Sequence, residues 1–315
     1  MILPSVPSLT LTVENFANAF GVNADQIPAD IQKFIKVGDF DYEKLDAADR
    51  DRVILDVLKK IDSEALQKVG EHRKEVWEKG WQENLDAFGA KGMEGLVPRF
   101  IRPNQVIRLN KDYVKPNNPK FELDFFGVLR LWLFDRYFAD ADQVCEFGCG
   151  SGYNLVALAK RYPQIQLIGL DWAESAVELV NRVGKMHNLR LQGRRFDFFN
   201  PDSSINFGPR SVVVTMAALE QVGSRYDKFL DFLLQKTPNL VVNLEPLYEL
   251  YDPTNMVDYL AMRYHKMRGY LDGYLSRLRK LEAERRIEII QTHRPCFGSL
   301  FHEGYSLVVW RPLKG

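Results

Sequence analysis

Cysteine is scarce in this 315-residue chain: Cys145, Cys149 and Cys296 are the only three. Their spacing supplies neither a disulfide framework nor a zinc-ligand set, so reduced thiols and a cytoplasmic protein are expected. An excess of one charge is also missing. Lys and Arg together number 42, as do Asp and Glu, which leaves no global basic field to attract nucleic acid or a membrane surface. No apolar run approaches the length of a transmembrane helix. Met1-Ile2-Leu3-Pro4 is followed by neither the basic n-region nor the long apolar h-region of a secretory leader. No internal repeat or low-complexity tract interrupts the chain, and no well-placed acidic cluster suggests a magnesium site, so no metal is expected. The partner expected from these absences is a small molecule, with no role for nucleic acid or membrane.

What is present centres on Val144-Cys145-Glu146-Phe147-Gly148-Cys149-Gly150-Ser151-Gly152-Tyr153-Asn154-Leu155. A short apolar run carrying one acid ends in three glycines at alternate positions, and a helical pattern follows at once. Strand, tight turn and helix in that order place free helix N–H groups at the carboxyl end of a strand, where a ligand binds. Glycine is needed there for positive φ or for close approach of backbone to ligand. A dinucleotide fingerprint spaces its glycines as G-x-G-x-x-G, and here the position of the last is Tyr153, so an NAD-dependent reading fits the strand-turn-helix but not the spacing. The next strand, Leu167-Ile168-Gly169-Leu170-Asp171, ends in an acid about 20 residues on, where a ribose-binding carboxylate is expected.

The pattern E-x-G-x-G-x-G resembles the first motif of the class I S-adenosylmethionine-dependent methyltransferases, small-molecule type. The resemblance implies that Gly148, Gly150 and Gly152 let the backbone approach the cofactor, with Glu146 supporting the loop or the cofactor's ammonium group. It makes Asp171 the ribose ligand, with Trp172 beside the adenine. Asp197, at the end of the third element, would contact the adenine amino group, and Phe198 would line the ring pocket. S-adenosylmethionine is the cofactor so implied.

Alternating strands and helices from residue 144 to 244 predict a parallel sheet covered on both faces. Ile287 to His293 and Tyr305 to Trp310 predict a final antiparallel hairpin. The fold class expected is therefore α/β, a Rossmann-like, mostly parallel sheet with a C-terminal antiparallel hairpin, preceded by a helical N-terminal segment. The expected domains are a helical cap or lid over residues 1–119 and a cofactor-binding catalytic domain over 120–315. Within the first, Asp49 to Ile61 carries an amphipathic stripe that could dock on the catalytic domain or join two copies as a homodimer. Trp77 to Tyr113 interleaves aromatics with arginines, a pattern that can bind an anionic ligand, form a lid, or pack the cap on the main domain with arginines on the rim. Glu122, Arg130 and Trp132 fall on a helix that would edge the cofactor pocket. One long helix is expected from about Asn255 to Arg285, with an apolar stripe through Leu260, Tyr264 and Leu271 and a basic face that includes Arg268, which is either a solvated face or a surface for an anionic substrate or partner.

In an open parallel sheet, ligands bind beyond the carboxyl ends of the strands. That rule selects Glu220 and Gln221 after the fourth strand, Glu245 after the fifth, and His302 and Glu303 at the last hairpin. Glu220-Gln221 occupies a place where small-molecule methyltransferases often have Glu-His. Glutamine cannot act as a general base, so a proton from a hydroxyl or ammonium acceptor must go elsewhere: His302 and His265 first, Glu245 and Glu303 next. The fourth strand lacks the N/D-P-P-Y/F sequence of amino methyltransferases acting on nucleobases and glutamine amides. Methyl transfer to a small polar metabolite or sugar-containing intermediate, at oxygen, nitrogen or sulfur, is the function expected. The alternative is a catalytically inactive, S-adenosylmethionine-binding partner subunit.

Overall fold

The computed structural model describes residues 8–313. The chain begins with short pieces: β1 (Leu9–Thr10), α1 (Val13–Phe20), α2 (Ala29–Val37), β2 (Asp41–Lys44), α3 (Ala47–Ile61), α4 (Lys74–Lys91), β3 (Ile107–Leu109) and β4 (Asp112–Pro116). Their ends follow local chemistry. Thr12 Oγ1 accepts the Asn15 N–H while Asn15 Oδ1 accepts the Thr12 N–H, a reciprocal cap that starts α1. Asp46 accepts the Asp49 N–H and starts α3.

A helix α5 (Phe121–Leu133) then leads into β5 (Gln143–Phe147), α6 (Tyr153–Arg161), β6 (Gln166–Asp171), α7 (Glu174–Met186), β7 (Leu191–Arg195), β8 (Ser211–Met216), α8 (Asp227–Lys236) and β9 (Leu240–Glu245). Two helices, α9 (Met256–Arg268) and α10 (Tyr274–Ala283), precede β10 (Ile287–His293), β11 (Phe297–Gly298) and β12 (Ser306–Pro312). Seven strands form the main sheet in the order β10-β12-β9-β8-β5-β6-β7. Strands β5 to β9 pair in parallel, and β12 runs antiparallel to both β9 and β10. This is the α/β, Rossmann-like, mostly parallel sheet with its antiparallel C-terminal hairpin. Central β8 is buried along its whole length, while edge strand β7 alternates, which is why the first reads as a continuous apolar run and the second does not.

Alternate side chains of the strands feed two cores. Val144, Leu167, Val212 and Val242 face one layer, which also contains Phe16, Phe20, Phe125 and Trp132. Cys145, Ile168, Val213 and Val241 face the other, with Phe229, Leu278 and Trp310. The N-terminal segment therefore shares a core with the sheet.

That segment departs from the all-helical expectation. It contributes β1 to β4 to a second, five-stranded sheet in the order β1-β2-β4-β3-β11. Its last strand comes from the far end of the chain: Phe297 and Gly298 pair with Leu109 and Arg108. The expected boundary between residues 119 and 120 is thus bridged by a strand pair as well as by the core.

The long helix expected from 255 to 285 is two helices. Gly269 ends α9 at φ 62, Gly273 starts α10 at φ 70, and the intervening turn carries Tyr270. Left-handed glycines stop a helix where a continuous apolar stripe would extend it.

A buried ion cluster ties the two sheets together. Arg108 on β3 donates to Asp258 Oδ1 at 3.0 Å and to the Val257 carbonyl at 2.7 Å, and its guanidinium lies 3.6 Å from Glu303. Arg294 donates to both oxygens of Asp258 and both oxygens of Glu303, at 2.6 to 2.8 Å. Two guanidiniums facing two carboxylates satisfy each other where water does not reach, and removal of one member strands the rest. Asp258→Ala is expected to cost about 3–5 kcal/mol of stability in urea unfolding; a loss under about 1 kcal/mol would show that the cluster does not hold the two parts together.

Candidate active site

The carboxyl end of β5 turns through Gly148, Gly150 and Gly152, all at positive φ, before α6 begins. The Gly148 N–H donates to the Leu170 carbonyl at 2.6 Å, and the Gly150 N–H donates to Asp171 Oδ2 at 2.9 Å. Asp171 Oδ1 accepts the Ala173 N–H at 3.0 Å. One carboxylate therefore fixes the glycine turn and the β6–α7 turn against each other, and each of its oxygens retains a lone pair. Burial raises the Asp171 carboxyl to about 6, although the amides of Ala173 and Gly150 pull it down. Glu146 lies on β5, two residues before Gly148. Its Oε1 accepts from Asn154 Nδ2 at 2.7 Å, its Oε2 is buried without a partner, and burial pushes the carboxyl up to about 7.

Helix α4 lies across this end of the sheet. Lys74 pairs with Asp197 at 2.6 Å. Glu78 accepts the Glu174 and Ser175 N–H groups at 2.7 and 3.0 Å, capping α7, whose own N-cap residue makes no side-chain bond. Trp81 rests on Gly150, where a Cβ would lie 2.4 Å from the indole, and stacks on Trp77 at 5.9 Å. Ser151 donates to the Leu96 carbonyl at 2.6 Å just beyond the helix.

A cavity of about 590 Å³ runs from Glu146, Gly148, Asp171, Trp172 and Phe198 under Trp77 and Trp81 to Glu220, Tyr264, Tyr270 and His302. That size suits a small-molecule site, roughly 300–1,000 Å³. At its far end Glu220 Oε1 accepts from Gln221 Nε2 at 2.7 Å, and Glu220 Oε2 lies 3.6 Å from His302 Nε2. The Glu-His pair absent from the local sequence is thus assembled across the fold, with Gln221 beside it. Tyr264 stacks on His302 at 5.6 Å, and Tyr270 packs against it at 5.4 Å. Glu122, from α5, also lines the cavity; it accepts from Tyr305 Oη at 3.2 Å, and burial raises it to about 7.

Four expected site residues lie elsewhere. Asp197 follows edge strand β7 and is engaged by Lys74 and the Phe199 N–H, away from the cavity wall. Glu245 is fully buried, and its oxygens accept the N–H groups of Ala218, Leu219 and Glu220 at 3.0 to 3.2 Å; it holds the loop that presents Glu220. His265 is enclosed by Tyr248, Tyr251, Tyr270 and His302, with neither ring nitrogen bonded, and burial drives its pKa well down. Glu303 belongs to the ion cluster. Gly150 and Gly152 shape the turn without lining the cavity, and Arg130 and Trp132 do not line it either.

Arg73 and Tyr270 line the cavity although nothing in the sequence singled them out, and Arg268 lines it from what reads as a solvated helix face. The signal for Tyr270 and Arg268 was the Gly269 and Gly273 pair, which turns the chain inward.

The family model described as a methyltransferase domain matches residues 144–231, from β5 into α8. Residues 144–231 are a methyltransferase domain. No curated protein matches the sequence. Among solved structures, the cyclase SpnF is similar at 13% identity and a TM-score of 0.52, over 79% of this chain and 98% of that one. Geranyl diphosphate C-methyltransferase from Streptomyces coelicolor A3(2) gives 11% identity and a TM-score of 0.46, over 74% and 97%. The O-methyltransferase NcsB1 from neocarzinostatin biosynthesis gives 16% and 0.43, over 96% and 89%. The likeness to SpnF is one of fold. No helix among the described residues is long and apolar enough to cross a membrane.

A tight spot on the glycine turn is the Gly150 and Trp81 contact. Gly150→Ala, with a Cβ at positive φ and against the indole, is expected to lower stability by about 1–3 kcal/mol. The same change made in Trp81→Ala should cost less. Thermal unfolding of the three variants checks this, and a wild-type melting temperature for Gly150→Ala would contradict it.

Proposed function

We propose that this chain transfers a methyl group from S-adenosylmethionine to a small polar acceptor bearing a hydroxyl or another proton-carrying nucleophile, with His302 as the base. The observation that carries the proposal is the 3.6 Å approach of His302 Nε2 to Glu220 Oε2 in the same cavity that Gly148 and Asp171 line. Held at the glycine turn by Gly148, Glu146 and Asp171, the cofactor would supply an electrophilic methyl on a sulfonium, whose sulfur would keep the electron pair when the acceptor's nucleophile bonds to the methyl carbon.

The residues present fit that cofactor. Glu146 has a buried carboxylate oxygen with no partner, suited to an ammonium group, and Asp171 has acceptor capacity for ribose hydroxyls. Trp172 and Phe198 offer ring faces for a base. Asp197, already paired with Lys74, is left out of this assignment. Toward the acceptor, the neutral imidazole of His302 takes the proton and the Glu220 carboxylate stabilises the resulting imidazolium. Gln221 keeps the other Glu220 oxygen occupied, and Glu245 keeps the loop in place. Residues 8–119 act as the cap, with α4 excluding water from the glycine turn. A base recruited from residue 302 removes the reason for reading the chain as an inactive partner.

Release of S-adenosylhomocysteine in the presence of a panel of small hydroxylated acceptors tests the reaction. With a responsive acceptor, His302→Ala should lower kcat by roughly 10²- to 10⁴-fold while leaving cofactor affinity unchanged, and Glu220→Gln should fall between it and the wild type. Full turnover by His302→Ala would remove the base assignment.

Cofactor binding should also depend on pH. An ammonium group favours ionised Glu146, and ribose hydroxyl donors favour ionised Asp171, so binding releases protons that these raised carboxyls hold in the free protein. Affinity is therefore expected to be level at alkaline pH and to weaken as pH falls through about 7 and then about 6, where the two carboxyls become protonated. Tryptophan fluorescence reads the titration. Glu146→Gln should abolish the upper part of the dependence and Asp171→Asn the lower part; a constant affinity down to about pH 5 in folded protein would contradict both assignments.

A further inference from the structure

Two guanidinium groups at the far end of the cavity have no counter-ion. Arg73 closes the turn Glu71–Arg73 before α4, and Arg268 is the last residue of α9. A backbone bond from the Val69 N–H to the Arg268 carbonyl, at 2.8 Å, draws the two segments together. Both side chains line the cavity that contains Glu220 and His302. Among the described residues neither has a carboxylate within ion-pair distance, and Arg102, which lines the same cavity, makes no ion pair either. The Nε and Nη1 atoms of Arg73 and the Nε of Arg268 are buried without a hydrogen-bond partner. Arg73 lies over the Trp77 ring at 5.8 Å and Arg268 over Tyr270 at 5.1 Å, so aromatic faces orient both groups, and Arg268 Nη1 alone is engaged, donating to the Gln67 carbonyl.

Leaving charged donors buried and unpaired costs more than leaving neutral ones, and two like charges side by side add repulsion. Glu220 is the nearest acid to this end, and its oxygens face Gln221 and His302. The guanidinium pair is thus complementary to an anion that is not part of the chain. The walls around it are flat: Tyr264 stacks on Phe301 at 5.1 Å and 16°, and Trp77 stacks on Trp81.

We infer that Arg73 and Arg268 form an anion subsite that selects a ring-bearing acceptor carrying a carboxylate or a phosphate and anchors it with its nucleophile toward His302. This inference rests on the methyl-transfer reading for the acceptor's role, but the subsite itself can be measured without turnover.

The test is calorimetric binding of 4-hydroxybenzoate, 4-hydroxybenzamide and 4-hydroxyphenyl phosphate to the full chain, with and without saturating S-adenosylhomocysteine. At least one anionic probe should bind more tightly than the neutral amide by about tenfold or more, and comparison of the two anions tells carboxylate from phosphate. Arg73→Gln, on a part-exposed turn, and Arg268→Gln should each weaken the preferred anion by roughly 10- to 100-fold, the span expected for a lost charged hydrogen bond, with S-adenosylhomocysteine affinity unchanged. Equal affinity for the amide and the anions, no binding of any probe, or unchanged anion affinity in both variants overturns the subsite. Anion binding that persists while S-adenosylhomocysteine fails to bind would instead overturn the methyl-transfer reading and leave the subsite standing.

Discussion

The buried contact of Arg108 and Arg294 with Asp258 and Glu303 is the constraint on which the His302 end of the cavity depends. Each of its members belongs to a different stretch of chain: β3, the turn after β10, the first turn of α9, and the loop before β12. Fixing Asp258 fixes α9, and with it Tyr264 and Arg268 on the later turns of the same helix. Fixing Glu303 fixes its neighbour His302, the residue that meets Glu220. Ion pairs out of water are poor sources of net stability compared with apolar packing of the same volume, yet they are intolerant of misplacement. Here that intolerance serves to locate side chains rather than to strengthen the fold.

The glycine-turn end and the Glu220 loop are positioned by carboxylates of another kind, bonded to backbone rather than to arginine. Asp171 couples the glycine turn to the start of α7, and Glu245 gathers three N–H groups of the loop that carries Glu220. Both are pushed toward neutral pKa values by burial, and Glu245 further by Glu220. Helix α4 then adds contacts that only a helix from outside the sheet could make: a cap for α7 from Glu78, an ion pair to Asp197, and an indole on Gly150. The N-terminal segment is for this reason part of the site's wall as well as part of its core.

Much of this was legible in the sequence. The order of the strands, the glycine turn and the acid at 171 follow from period, spacing and turn chemistry, which are local properties. The failures are non-local. Glu245 and Glu303 stand beyond strand ends, where the sheet rule places functional groups, but their fate depends on which N–H groups and arginines fold against them. His265 is one helical position from the cavity-lining Tyr264 and points into an aromatic cage instead. Asp197 has the right place in the chain, and Lys74, 123 residues away, occupies it. The strand Phe297–Gly298 is too short to show any period, and only its pairing with β3 reveals it. The break at Gly269 and Gly273 was visible in the letters and was outweighed by a leucine stripe that continues in register across the turn.

The account stands on one cavity that accepts the cofactor at the glycine turn and leaves room beside His302 for a second molecule. Calorimetric titration of the full chain with S-adenosylmethionine, and in parallel with S-adenosylhomocysteine, tests this most directly. Saturable binding of each at a single site, with the two competing, is the result the account predicts. A folded protein that binds neither would contradict it.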